Sequence, residues 1–318
     1  MKSIAVLMPT MNSVQWLDEV LAPIEAQKSK YDIKLVLVDG YSQDGTIEKA
    51  REYFPDLVDV YDVSHNLATA RNICLVEGRK LKTDYMAFID SDVIVPLDFF
   101  DRMIRHLANP QVAISATRFE LERDPPKHFV SKHYRNRLDI KRGGIAKTDY
   151  TTTACSMWKS HMAHGVVLDE RLRRAGEDVD FNLQLIEKGD YYAIVDSNEP
   201  HAIHIRPATI MEELHRVKDH GLARALLMKL HKDSLDPGRY IKTALASVLT
   251  FLGWLGMFLT PFLGKLWPMG LVPFSIIFFR QWMKSRDKLR LDYAFFGFLM
   301  SIIYFTRFIQ GVAKYRKA

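Results

Sequence analysis

From Lys2 onward, apolar runs of strand length alternate with segments of helical period, and that alternation leaves few folds open. Strands are expected near 3–8, 33–38, 58–62, 85–89 and 111–116, with helices near 14–27, 45–53, 68–81 and 97–108. This is the sequence form of βαβ units, so the expected class is α/β with a mostly parallel sheet flanked by helices. Right-handed crossovers then bring the loops that follow the strands to one edge of that sheet.

The run Tyr85-Met86-Ala87-Phe88-Ile89 closes on Asp90-Ser91-Asp92. Side chains alternate along a strand, so acids at i and i+2 are delivered to one side at its carboxyl end. Ligands of open α/β sheets bind outside that edge, where one or two carboxylates and a substrate's phosphate oxygens hold Mg²⁺ or Mn²⁺. An Asp-x-Asp triplet arises by chance about once in a chain of this length. A second one, Asp178-Val179-Asp180, is present, so the weight rests on the strand-end position of the first.

The other loops on that edge are polar too: Pro9-Thr10-Met11-Asn12, Asp39-Gly40-Tyr41-Ser42-Gln43-Asp44-Gly45-Thr46, and His65-Asn66 leading to Ala70-Arg71-Asn72. Four such loops outline a nucleotide-sized cleft. Asp39 ends a Val-rich strand, where a buried carboxylate is costly unless something pairs with it. Asp44-Gly45-Thr46 fits either ligand contact or turn and N-cap chemistry. No Gly-x-Gly-x-x-Gly and no Walker-type lysine loop is present, against dinucleotide binding and P-loop phosphoryl transfer.

Taken together, Pro9-Thr-x-Asn12, Val38-Asp39-Gly-x-Ser42-x-Asp44-Gly-Thr46, Ala70-Arg71-Asn72 and Asp90-Ser91-Asp92 resemble the family 2 glycosyltransferases of the GT-A (Rossmann-like) fold. With its apolar tail the chain is similar to the membrane-anchored dolichyl- or polyprenyl-phosphate sugar synthases. The resemblance covers about the first 210 residues, and the tail only in layout. It implies a nucleotide pocket of Pro9, Thr10, Asn12, Asp39, Ser42, Asp44, Arg71, Asp90 and Ser91, with Asp90 and Asp92 on Mn²⁺ or Mg²⁺. Gly40 departs from the family's frequent second acid after the second strand, which weakens the implied grip on base and ribose.

Glu177-Asp178 opens a helix running to about Lys188 and resembles the family's acceptor-side acid pair, with Asp178 as general base. Acids in a first helical turn are also favoured by the helix dipole alone. A lipid phosphate, with its second pKa near 6, is largely a dianion at neutral pH and barely needs a base. For that acceptor Asp178 serves orientation more than proton removal. In the strand-like segment His201–Pro207, His204 and Arg206 share one side, as metal and diphosphate contacts or as ordinary strand residues. The basic stretch 118–150, with Arg118 and Arg135 as its representatives, is expected to grip an acceptor phosphate or to form a solvated face.

Residues 209–236 read as amphipathic interfacial helices and 237–318 as a transmembrane region of two or three spans, after a catalytic domain at 1–208. Lys284, Arg286, Lys288 and Arg290 form a basic loop that the positive-inside rule places in the cytoplasm. The net charge of +6 lies mostly in such flanking segments, which suits anionic lipid and phosphorylated ligands rather than nucleic acid. Cys74 and Cys155 show no metal-ligand spacing and no disulfide framework, and the strand-like Ile4–Met8 run leaves no signal peptide ahead of it. The expectation is a multi-pass cell-membrane enzyme with its catalytic domain in the cytoplasm. It would invert configuration while moving a sugar from a nucleotide-diphosphate sugar to a polyprenyl (dolichyl-type) phosphate. Transfer to a hydroxyl of a lipid-linked saccharide or glycan is the alternative, and a silent nucleotide-binding scaffold the rival from another class. No Gln-x-x-Arg-Trp is present, against a processive polysaccharide synthase.

Overall fold

The computed structural model describes residues 1–316 apart from 63, 123–125, 138–142, 206–208, 235–236, 260–261 and 263, and apart from the side chains of 237–241, 243–244 and 264–267. The chain forms two compact units, 1–126 with 142–207 and 127–141 with 208–318.

In the first unit, strands β1 (Ser3–Thr10), β2 (Asp32–Asp39), β3 (Val58–Tyr61) and β4 (Tyr85–Ile89) are parallel neighbours in the order β3-β2-β1-β4. The short β5 is Val93–Ile94, followed by β6 (Val112–Thr117), β7 (Phe119–Glu120), β8 (Ile145–Thr148), β9 (Cys155–Lys159), β10 (Tyr192–Asp196) and β11 (Ala202–His204). The eight-stranded sheet continues β4-β9-β6-β10-β8, with β9 and β8 antiparallel to their neighbours and β10 parallel to β6. A three-stranded sheet, β5-β11-β7, stands apart from it. Helices α1 (Val14–Glu25), α2 (Thr46–Tyr53), α3 (Leu67–Lys80), α4 (Phe99–Leu107) and α6 (Glu177–Ile186) flank the strands.

The runs read as buried strands are buried on both faces, which is why they look continuously apolar rather than alternating. In β1, Ile4, Val6 and Met8 join the core with Leu17 and Leu21 of α1 and Phe99 of α4, while Ala5 and Leu7 join Leu75 of α3 and Phe181 of α6. A Cβ on Gly78 of α3 would come 2.7 Å from Leu7 Cδ2, so glycine lets that helix sit close on the strand.

An ion cluster far apart in sequence ties α4 to the end of β10. Arg102 Nη2 lies 3.0 Å from Asp196 Oδ1, His106 Nε2 lies 3.0 Å from Asp196 Oδ2, and Arg102 also donates to the Asn198 and Pro200 carbonyls. Burial alone would raise the Asp196 carboxyl, but Arg102, His106 and the Asn198 N–H outweigh it and hold it down to about 2. The folded value lies below that of the unfolded chain, so this stabilisation is complete above about pH 4 and is lost as pH falls toward about 2. An Asp196→Asn variant should lose on the order of 2 kcal/mol at pH 7 and nothing near pH 2, measured by urea unfolding across pH. Equal losses at both pH values would show that the charge is not what stabilises.

The second unit contains α5 (Phe129–Arg135), α7 (Ile210–Leu230), α8 (Pro237–Leu259), α9 (Val272–Lys284) and α10 (Leu291–Tyr315). A capping box starts α7, with Thr209 Oγ1 accepting from the Glu212 N–H and Glu212 accepting from the Thr209 N–H. Buried Glu213 accepts from Tyr134 Oη of α5 and from Arg216 Nε at 2.9 Å. Two or three membrane spans were expected here. Among the described residues one helix, Leu291–Tyr315, is long and apolar enough to cross a membrane, and Leu245–Leu259 is a shorter apolar stretch. The first turns of α8 carry Arg239 and Lys242, and α9 has only 13 residues, so neither supplies the ~20 apolar residues a span needs.

Candidate active site

The parallel strands β2, β1 and β4 end side by side, with Thr10 opposite Asp39 and Leu7 opposite Phe88 in register. Beyond them the loops are stitched together by their own polar groups. Fully buried Asp39 accepts from the Ser42 N–H at 2.8 Å and from Ser42 Oγ, and Ser42 Oγ accepts from the Asn12 N–H at 2.7 Å. Asn12 Oδ1 in turn accepts from the Gln43 N–H at 3.0 Å. Pro9 lies opposite Val38, and Thr10 Oγ1 is buried at the strand end with no protein partner. Ser13, which was not singled out from sequence, bonds Ser91 Oγ at 2.9 Å and joins the first loop to the fourth.

The turn and cap account of Asp44 has its geometry here. Its carboxylate accepts from the N–H groups of Val14 at 3.0 Å and Thr46 at 3.1 Å, so it serves the first turns of α1 and α2. Those bonds hold its carboxyl below the ordinary range even though burial pushes the other way.

Arg71 is the centre of the buried electrostatics. Asn66 caps α3 by accepting from the Ala68 N–H at 3.1 Å, which aligns the helix. Arg71 Nη2 lies 3.1 and 3.3 Å from the two oxygens of Asp90, Arg71 Nε lies 3.8 Å from Glu177 Oε1, and the guanidinium stands 5.0 Å over the Phe88 ring. Phe88 rests on Trp158 and Phe181, an aromatic floor that no local pattern announces. Arg71 Nε and Nη1 and Glu177 Oε2 are buried without hydrogen-bond partners. Burial, reinforced by Asp178, pushes the Glu177 carboxyl up against the opposing pull of Arg71.

Asp92 meets His204, whose Nε2 is 3.4 Å from Asp92 Oδ2. The meeting follows from strand pairing: His204 of β11 pairs with Val93 of β5, and the Ile205 N–H donates to the Asp92 carbonyl at 2.9 Å. Both side chains are about a quarter exposed. Among the described residues no ready-made group of three His, Cys, Asp or Glu side chains stands as a metal cage. An imidazole nitrogen and a carboxylate oxygen are nevertheless donors that Mn²⁺ accepts, and two protein donors suit an ion that shares its shell with phosphate oxygens.

Asp178 and Asp180 repeat the i, i+2 spacing on a helix, not a strand, and part accordingly. Asp178 begins α6 beside Glu177, while Asp180 Oδ2 accepts from the Asp169 N–H at 2.8 Å. Asn182 anchors Thr151 through both its amide groups, at 3.1 and 3.0 Å, a link with no sequence signature. Arg118 Nη2 pairs with Glu120 at 3.1 Å, Arg135 lies in α5 of the second unit, and Arg206 falls outside the described residues.

An acid-lined loop edge over a three-layer α/β sheet defines a nucleotide-binding class of site. The model of glycosyl transferase family 2 matches residues 5–165, half of the chain, and the protein belongs to that family, with the GT-A fold. Among solved structures it is similar to the mannosyltransferase PcManGT from Pyrobaculum calidifontis, determined with GDP-Man and Mn²⁺. That likeness has 17% identity and a TM-score of 0.60, covering 99% of this chain and 88% of that one. It is also similar to S. aureus TarS, at 16% identity and a TM-score of 0.50, covering 79% of this chain but only 43% of TarS. No curated protein matches it by sequence.

Proposed function

We propose that this glycosyltransferase moves a sugar from a nucleotide-diphosphate sugar to a polyprenyl-type phosphate at a membrane face, with inversion at the anomeric carbon. The observation that carries the donor half is the convergence of Asp90, Asp92, His204 and the Arg71–Glu177 pair at the ends of β4, β5 and β11. Asp92 and His204 would hold Mn²⁺ or Mg²⁺, with Asp90 adjoining, and such an ion supplies charge neutralisation for a departing diphosphate. Pro9, Thr10, Asn12, Asp39 and Ser42 form the wall for the nucleoside, and Asp90 with Ser91 borders the diphosphate. Arg71 fixes Asp90 in place. The acceptor oxygen attacks the anomeric carbon as the bond to the diphosphate breaks, and the diphosphate takes the electron pair. PcManGT, with GDP-Man and Mn²⁺ bound, supports the donor class and the metal.

The acceptor half rests on the apolar tail and on Asp178 at the head of α6. A phosphate acceptor arrives already ionised, so Asp178 orients it rather than deprotonating it. Asp178→Asn should therefore cost no more than about tenfold in kcat with a polyprenyl phosphate, against about 10²–10⁴-fold if the acceptor is a hydroxyl. Labelled nucleotide sugars incubated with polyprenyl phosphate, with and without Mn²⁺, and counted in the organic phase provide the direct test. Label appearing only in a saccharide acceptor would overturn the phosphate assignment.

A further inference from the structure

We infer that α10 does not cross the bilayer but lies beside α7 in the plane of the lipid interface, so that both of its ends stay on one side of the membrane. The inference rests on the membrane reading above and concerns how the attachment is built.

Helix α10 has the length and hydropathy of a span, whereas its neighbour α7, with 21 residues, has the length but not the hydropathy. A Cβ on Gly221 of α7 would come 2.4 Å from the Tyr304 carbonyl oxygen, and one on Gly311 of α10 would come 2.8 Å from Ala225 Cβ. Further along, Lys229 Nζ donates to the Tyr315 carbonyl at 3.1 Å. At the other end, Leu214 and Val217 pack against the cluster of Phe296 and Met300. The two helices therefore run side by side in the same direction, 214–229 along 296–315. Over that interval α7 carries Arg216, Lys218, Asp219, Arg224 and Lys229, a density of charge that hydrocarbon does not accept. A helix held lengthwise against it shares its depth.

The charge on α10 agrees. Arg290 precedes it, Lys314 and Arg316 close it, and Arg307 lies between, bonded to Gln310 at 2.7 Å. The positive-inside rule gathers the basic flank of a crossing helix on one side, and basic residues at both ends and between them do not fit that pattern, whereas a helix in the interface keeps all of them at headgroup level. Leu291, Phe295 and Val312 are at least half exposed on α10, an apolar face for acyl chains beneath anionic headgroups that the flanking Lys and Arg complement. The α8–α9 pair returns to its own side as well. A Cβ on Gly256 would come 2.1 Å from the Gly270 oxygen, and one on Gly253 would come 2.4 Å from the Phe274 ring. Carried back at that antiparallel register, Lys242 and Lys284 end at the same level, on the basic side.

The test uses the full chain in sealed vesicles of phosphatidylcholine and phosphatidylglycerol, with Leu289→Cys and Lys314→Cys made separately. Cys74 and Cys155 are fully buried and stay silent. In vesicles whose Leu289→Cys protein reacts with a membrane-impermeant maleimide, Lys314→Cys is expected to react at the same rate without detergent. Reaction of Lys314→Cys only after detergent would overturn the inference and make α10 a crossing helix. Protein that fails to float with the vesicles would overturn it from the other direction, by removing the lipid reading beneath it. A lipid-free dimer that shields Phe295→Cys would assign the apolar face to a second copy of the chain and overturn it too.

Discussion

Asp92→Ala is expected to reduce kcat by about a thousandfold at saturating donor, with the thermal midpoint close to that of the parent. The activity loss follows from the position of the carboxylate, 3.4 Å from His204 and about a quarter exposed at the loop edge. Stability is spared because the local fold depends on the Asp92 carbonyl, which accepts from the Ile205 N–H and survives the substitution. His204→Ala should lose less, because a nitrogen donor can be replaced by water while the acid also supplies charge. Activity is read from labelled lipid and folding from circular dichroism of the same preparations. If Asp92→Ala retained full transfer, the metal assignment would be wrong. If transfer vanished but the cellular role persisted, the protein would be a scaffold.

Arg71→Met should cost about 3–5 kcal/mol of stability, the largest effect expected of any single change in this site. Methionine leaves Asp90 without its guanidinium and leaves Glu177, already pushed up by burial, with Asp178 as its charged neighbour. Glu177 then takes a proton more readily still, so the variant recovers part of its stability as pH is lowered toward the ordinary carboxylate range. Arg71→Lys keeps a charge but not the planar fork that reaches both acids, and should fall between parent and Met. Replacing Glu177 by Leu in the Arg71→Met background should regain stability, since a buried acid without its cation costs more than an apolar side chain. Urea unfolding of the parent, Arg71→Met, Glu177→Leu and the double variant, with Arg71→Lys alongside, decides the matter, and additive losses in the double variant would show that Arg71 and Glu177 do not share an interaction.

Much of the framework was legible from the residues. The expected strands near 3–8, 33–38 and 85–89 correspond to Ser3–Thr10, Asp32–Asp39 and Tyr85–Ile89, because strands buried on both faces are apolar along most of their length, with only the start of β2, at Asp32 and Lys34, exposed. The loops that follow them had to be polar, since their backbone groups meet ligand or water. Other features lay outside the reach of local pattern. Asp44 suits ligand or cap from its own neighbours, and that Val14, thirty positions away, donates to it is not visible in them. Asp90-Ser91-Asp92 and Asp178-Val179-Asp180 have the same spacing, yet one closes a strand and the other opens a helix, where successive side chains diverge. The basic stretch 118–150 read as one loop, whereas 127–141 belongs to the C-terminal unit.

Residue order alone was enough for the class of fold and the edge on which chemistry would gather, because hydrophobic period and strand-end acids are local properties. Three-dimensional packing decided which of those acids are consumed in holding loops and helices together and which face outward. Their partners are supplied from distant parts of the chain: Arg71 meets Glu177 across 106 positions and Asp92 meets His204 across 112, and no window of sequence contains both members of either pair.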